Sequence, residues 1–209
     1  FERKSNVTAE ELSPGEQEKL ISHLLYFLAG EYRKRGMVMQ LHFGTYRNVN
    51  SGMFGRIGRD AGFDIMRGRV DADRLAVFLD TLNTRGDLPK TVLYSLNPTA
   101  VPAIATLSGA FPNVRVGAAW WFNDTVEGIR QQLHTVMEYA ALGTHLGMLT
   151  DSRSYASYPR FDFFRRILCD TVGAYVERGE YDAGAAEALV RGICYENIRE
   201  FLGIGGKTL

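Results

Sequence analysis

Four times along this 209-residue chain an amphipathic helical pattern gives way to a short, mostly apolar run, and no other feature restricts the fold as much. Ser13-Pro14-Gly15-Glu16 reads as an N-cap, a proline at the first helical position and a capping-box glutamate. Leu20, Ile21, Leu24, Leu25 and Leu28 follow on one face up to Gly36. Met37 to Phe43 is the first strand-like run. Leu75, Ala76, Phe78, Leu79 and Leu82 restore helical spacing, Gly86 stops them, and Thr91 to Leu96 is the second run. A shorter helix over 102–111 leads to a third run, Val114 to Phe122. Asp124 and Glu127 then read as the cap of a helix carrying Ile129, Leu133, Val136, Met137 and Ala140, closed by Gly143. His145 to Thr150 is the fourth run, and helical segments over 159–178 and 182–202 complete the chain.

Strands this apolar are covered on both faces, and consecutive parallel strands need a crossover helix between them, so the alternation predicts α/β architecture with a parallel sheet. Four strands do not close a barrel. An open doubly wound sheet is one solution, but no glycine-rich phosphate fingerprint follows any strand. Half of a (β/α)₈ barrel fits better, because its polar working residues lie just past the C-terminal ends of strands, where this chain places its unusual side chains. The connection from 44 to 70 is long, rich in glycine, and carries Arg47, Arg56, Arg59, Arg67 and Arg69. Such a loop is expected to be functional or flexible, and is placed to help close over a ligand.

Lysine plus arginine balance aspartate plus glutamate at 24 each, so net charge directs the chain to neither nucleic acid nor an anionic membrane. No apolar run approaches the ~20 residues of a spanning helix. Cys169 and Cys194 form neither a metal knuckle nor a disulfide framework, which favours a reducing, cytoplasmic setting.

Three strand ends carry candidate chemistry. His42 closes the first, with Arg47 and Asn48 behind it, so a titratable ring, a cation and an amide reach one rim; a lone strand histidine is as readily a core residue. Trp120-Trp121-Phe122-Asn123-Asp124 closes the third, where strand alternation sends the two indoles to opposite faces, one toward a ligand. Thr150-Asp151-Ser152-Arg153-Ser154 follows the fourth. Asp151 is placed as a general base or hard metal ligand and Arg153 as a carboxylate fork, against the plainer reading of a loop ion pair or Asx-turn. His23, His134 and His145 read as structural or solvated.

Several of these stretches resemble the uronate isomerase (glucuronate isomerase) family. They are Met39-Gln40-Leu41-His42-Phe43-Gly44 with Arg47-Asn48; Leu88-Pro89-Lys90-Thr91 into Tyr94-Ser95-Leu96-Asn97-Pro98; Trp120 to Asp124; Gly147 to Ser154; and Phe164 to Cys169. The resemblance implies the amidohydrolase superfamily and the C-terminal half, strands five to eight, of a distorted (β/α)₈ barrel, with 1–209 as half of one catalytic domain. It implies interconversion of D-glucuronate with D-fructuronate and of D-galacturonate with D-tagaturonate, by metal-assisted proton transfer between C1 and C2. Asp151, Arg153 and His42 are then the expected catalytic residues. Arg47, Asn48, Trp120, Trp121 and Ser152 are the expected substrate contacts, and Asp151 is the expected ligand to a divalent metal, zinc by resemblance.

The family's His-x-His metal pair is absent from this chain. The expectation is therefore a piece of a longer enzyme, with the other half of the barrel as its partner, a uronate as its small-molecule ligand, and a homo-oligomeric whole. The segment alone is expected neither to fold stably nor to turn over. A metal-dependent hydrolase of the same superfamily and a non-catalytic binding half barrel are the competing readings.

Overall fold

The computed structural model describes residues 12–118, 120–149 and 154–204, with only the backbone of Trp120. Helix α1 spans Pro14–Lys34 and begins as its sequence dictates. Ser13 accepts the Glu16 N–H, the Ser13 N–H donates to Glu16 Oε2 at 3.0 Å, and Pro14 occupies the first turn. After the left-handed Gly36 (φ 65°) the chain enters β1, Met39–Phe43. Strand β2 (Thr45–Tyr46), α2 (Ser51–Ile57) and β3 (Ile65–Met66) come next, then α3 (Ala72–Thr84), capped by Asp71. Strand β4 (Thr91–Ser95), α4 (Val101–Ala110), β5 (Val114–Val116), the short α5 (Trp120–Asn123) and α6 (Val126–Tyr139) follow. Helix α7 spans Pro159–Glu177 and α8 Ala183–Arg191; a π-helical turn, Gly192–Glu196, leads to α9, Asn197–Leu202.

The main sheet is parallel, in the order β1-β4-β5, with Met39 opposite Thr91, His42 opposite Tyr94, and Thr91 opposite Val114. Period-two alternation divides its side chains between two cores. Met39, Leu93, Val114 and Val116 join Leu79, Ile104, Ile129, Leu133, Phe164 and Leu168 from the helices in the larger one. Val92, Tyr94 and Leu96 point the other way and meet Phe201 of α9. Lys90 Nζ donates to the Phe201 carbonyl at 2.7 Å, and Lys90 and Arg115 both lie over its ring, so α9 is pinned beneath the sheet. Every residue of β4 is buried, as its apolar run predicts. On β1, by contrast, Gln40 and His42 remain exposed on the face where Tyr94 lies.

Three expectations are corrected. The third apolar run pairs only over Val114–Val116; Trp120 to Asn123 turns into helix, so strand alternation does not orient the two indoles. The helix after it is capped by Thr125, which accepts the Gly128 N–H, and Asp124 instead forms an ion pair with Arg160 at the head of α7. Among the described residues the fourth run forms no strand. Leu142–Thr144 is a 3₁₀ turn, and Gly147 adopts φ 80° with its N–H donated to His145 Nδ1 at 3.0 Å, so that amide is lost to any ladder. Three parallel strands are thus described where four were expected. No described helix is long and apolar enough to cross a membrane, and both cysteines are unbridged.

Candidate functional site at the strand ends

Nor is the 44–70 connection structureless. Strands β2 and β3 pair antiparallel, Thr45 with Met66 and Tyr46 with Ile65, and carry α2 between them. The base of this excursion is fastened to the sheet. Arg67 N–H donates to the Gly44 carbonyl at 2.8 Å, and Asn97 Nδ2 donates to the Arg67 carbonyl at 2.8 Å. Gly44 sits at φ 93° against the backbone of Leu96 and Asn97, a conformation and a clearance that suit only glycine.

His42 projects from the exposed face of β1, its ring edge-on to Tyr94 with centroids 5.9 Å apart. Tyr94 donates its hydroxyl to Gln40 Oε1 at 2.8 Å, and burial pushes its pKa up to about 12, so the phenol stays protonated. The exposed Gln40 and His42 and the buried Tyr94 form one polar cluster on this face of the sheet, beyond the core that meets α9. Gln40 and Tyr94 carried no role in the sequence reading, although the spacing of Gln40 and His42, two apart on one strand, was a readable signal. The Tyr94 ring packs against Gly117 so closely that any Cβ there would occupy the ring's own position.

The other rim is α5. Trp121 is 47% exposed and stacks on Phe122, with centroids 4.7 Å apart and planes at 16°. Asn123 Nδ2 donates to the Leu96 carbonyl at 3.2 Å and ties this turn to the end of β4. Arg47 joins the two rims. Its Nη2 lies 3.0 Å from Asp60 Oδ1, its Nη1 3.1 Å from Asp64 Oδ2, and its guanidinium 5.4 Å from the centroid of the Trp121 ring. Asn48 donates its N–H to Asp64 Oδ1 at 2.8 Å from a left-handed backbone, φ 54°. Sequence reasoning missed Asp60 and Asp64, whose partners lie far from them in sequence.

The structure therefore brings His42, Arg47, Asn48 and Trp121 to one end of the sheet. Asp151, Ser152, Arg153 and the Trp120 side chain lie outside the described residues. Among the described residues no three His, Cys, Asp or Glu side chains converge as a metal site, and Asp151, the expected ligand, is not among them. His145 is fully buried. Its Nδ1 accepts from Gly147, its Nε2 lies 3.2 Å from Gln132 Oε1, and burial lowers its pKa to about 4, so the ring is a neutral structural element. His134, on α6, meets the Tyr175 hydroxyl at 3.2 Å.

Comparison with known proteins places this arrangement. A family profile described as glucuronate isomerase matches residues 2–202. A uronate isomerase of Bacillus licheniformis is 42% identical over 203 residues, covering 93% of this chain and 43% of that protein. One from Marinomonas is 45% identical over 185 residues, 85% of this chain and 40% of the relative. Among solved structures, the uronate isomerase of Thermotoga maritima superposes with a TM-score of 0.87 at 34% identity, over 93% of this chain and 43% of that one. The glucuronate isomerase of Caulobacter crescentus gives 0.87 at 28%, over 95% and 42%. The chain thus spans less than half the length of these relatives.

Proposed function

Because the chain belongs to the glucuronate isomerase family, we propose that the enzyme it forms part of interconverts aldose and ketose uronates, D-glucuronate with D-fructuronate and D-galacturonate with D-tagaturonate. The observation that carries this reading is the family match over residues 2–202, reinforced by relatives about 40% identical over most of the chain. We read the three-stranded sheet as part of the C-terminal half of a (β/α)₈ barrel of the amidohydrolase superfamily, completed by the portion of the relatives that this chain does not span. The exposed stripe of α1 (Ile21, Leu24, Leu25, Leu28) and the outer edge of β1, which pairs with no further strand among the described residues, are surfaces that such a partner half would cover.

The chemistry asks for a proton to move between C1 and C2 through an enediol, which needs a base, an acid and a partner for the developing oxyanion. In this reading Asp151 is the base or this chain's one ligand to a divalent metal, zinc by resemblance, with the other ligands supplied from outside the chain. Arg153 and Ser152 hold the sugar, Arg153 suiting the uronate carboxylate through its planar fork. His42 sits at the end of β1 with an imidazole able to donate or accept, and Trp121, exposed on the other rim, offers an aromatic surface for the sugar; Trp120 is read as a further substrate contact. The free cysteines suit a cytoplasmic setting, and the whole enzyme is read as a homo-oligomer.

The hydrolase alternative is not favoured, since the relatives are named isomerases. The test is to incubate the full-length protein with divalent metal and D-glucuronate and follow ketose formation by carbon-13 NMR, beside a panel of esters and amides. Ketose formation that Asp151→Asn abolishes, with circular dichroism unchanged, supports the reading. Hydrolysis without isomerisation overturns it.

A further inference from the structure

We propose that Arg47 is a positioning residue that clasps the β2–α2–β3 excursion to the aromatic rim at Trp121, rather than a ligand to the substrate's carboxylate. The identification of that substrate as a uronate rests on the reading above; the clasp itself does not.

The case begins with charge. An arginine that binds an anionic ligand directly works best with its charge and its fork uncommitted, because a guanidinium already facing two carboxylates has its charge compensated and both outer nitrogens engaged. Arg47 meets Asp60 with Nη2 and Asp64 with Nη1, so each outer nitrogen faces its own carboxylate and the local charge is one cation against two anions. A further carboxylate brought here would face two of its own sign.

Burial adds to the argument. The Asp64 side chain is only 8% exposed, and a carboxylate so withdrawn from water persists when its oxygens are paired. One oxygen takes the Arg47 nitrogen and the other takes the N–H of Asn48. Asn48 presents that N–H from φ 54°, a left-handed conformation that asparagine tolerates better than most residues. Arg47-Asn48 is thereby a single structural device. The side chain of one residue and the main chain of the next converge on a carboxylate from the far end of the excursion.

Geometry supplies the second anchor. With its two outer nitrogens on the aspartates, the guanidinium carbon also lies over the Trp121 ring, 5.4 Å from its centroid, within the range of a cation–π contact. Trp121 itself is stacked on Phe122, and its helix is tied to the end of β4 through Asn123. The clasp therefore connects the excursion after β1 to the turn after β5, across the strand ends where His42 emerges.

The experiment compares Arg47→Gln, Asp64→Asn, the double variant and Arg47→Lys in the full-length protein. It follows amide hydrogen exchange over residues 45–66, tryptophan fluorescence, and KM and kcat for D-glucuronate. A clasp predicts that Arg47→Gln and Asp64→Asn each speed exchange in this segment at least tenfold, shift the tryptophan emission, and raise KM by similar factors. The double variant should be no worse than either single, and lysine should not rescue, because one ammonium cannot bridge both carboxylates and lie over the indole. Asp60→Asn, at the exposed carboxylate, gives the same direction at smaller size and covers the case of an Asp64 variant that fails to fold. The proposal is overturned if Arg47→Gln raises KM while Asp64→Asn or Asp60→Asn leaves KM and exchange at wild-type values, the pattern of a direct ligand. Unchanged exchange in Arg47→Gln overturns it as well. If the wild type does not isomerise uronates, exchange and fluorescence still decide the clasp while the functional reading fails separately.

Discussion

Lowering the pH should destabilise this fold through His145 in particular, by an amount the structure allows to be worked out. The ring is fully buried, stacked on Phe164 with planes at 14° and centroids 6.2 Å apart. Its Nδ1 accepts from the Gly147 N–H, which leaves the proton on Nε2 to donate to Gln132 Oε1. Neither contact is with a carboxylate, so a proton added to Nδ1 would break a hydrogen bond and strand a charge in an apolar core. Burial accordingly lowers the pKa from 6.5 to about 4. In the unfolded chain the ring titrates near 6.5, so between these two values the unfolded state holds a proton that the folded state does not, and stability rises with pH. The contribution is complete above pH 6.5 and is lost as pH falls to about 4. At ~1.4 kcal/mol per pH unit, the difference amounts to about 3 kcal/mol.

Urea unfolding of the full-length protein at pH 7, 5.5 and 4, beside His145→Gln, should show the wild type losing about 3 kcal/mol more than the variant across that range. The subtraction removes the titration of carboxylates common to both. Parallel curves for the two proteins, or an NMR titration placing the His145 ring near 6.5, would refute the reasoning.

Two further outcomes follow from packing. Gly117→Ala places a methyl group within the Tyr94 ring and should cost about 2–4 kcal/mol in unfolding experiments; the penalty should shrink in a Tyr94→Ala background if the clash is the cause. Phe164→Ala opens a cavity beside His145 and should cost about 3–5 kcal/mol. By admitting water it should also move the His145 titration back toward 6.5, which NMR would read directly.

Legibility in the sequence followed the range of the interactions involved. The start of α1 was readable because Ser13 and Glu16 satisfy one another across three residues, and the Gly36 and Gly86 stops because left-handed backbone favours glycine locally. Strands β1 and β4 were readable because burial on one or both faces leaves a short apolar run. The same logic misled at Trp120 to Phe122. An apolar run does not distinguish strand from helix, and the choice was made by contacts distant in sequence: Asn123 on the Leu96 carbonyl and Asp124 on Arg160. It misled again at His145 to Leu149, where a buried imidazole takes the amide a ladder would need.

The sequence by itself therefore determined the α/β alternation, most of the helices, two of the strands and the start of a third, and, through its similarity to the glucuronate isomerase family, the family to which the chain belongs. Those properties are written in spacings of two to four residues and in runs of residue type. Only the tertiary structure decided that Arg47 faces Asp60, Asp64 and Trp121, that Tyr94 lies over Gly117, and that the 44–70 connection is a built excursion. Each of those facts pairs residues more than ten positions apart. Such partners are chosen by how the elements pack, which no local pattern records.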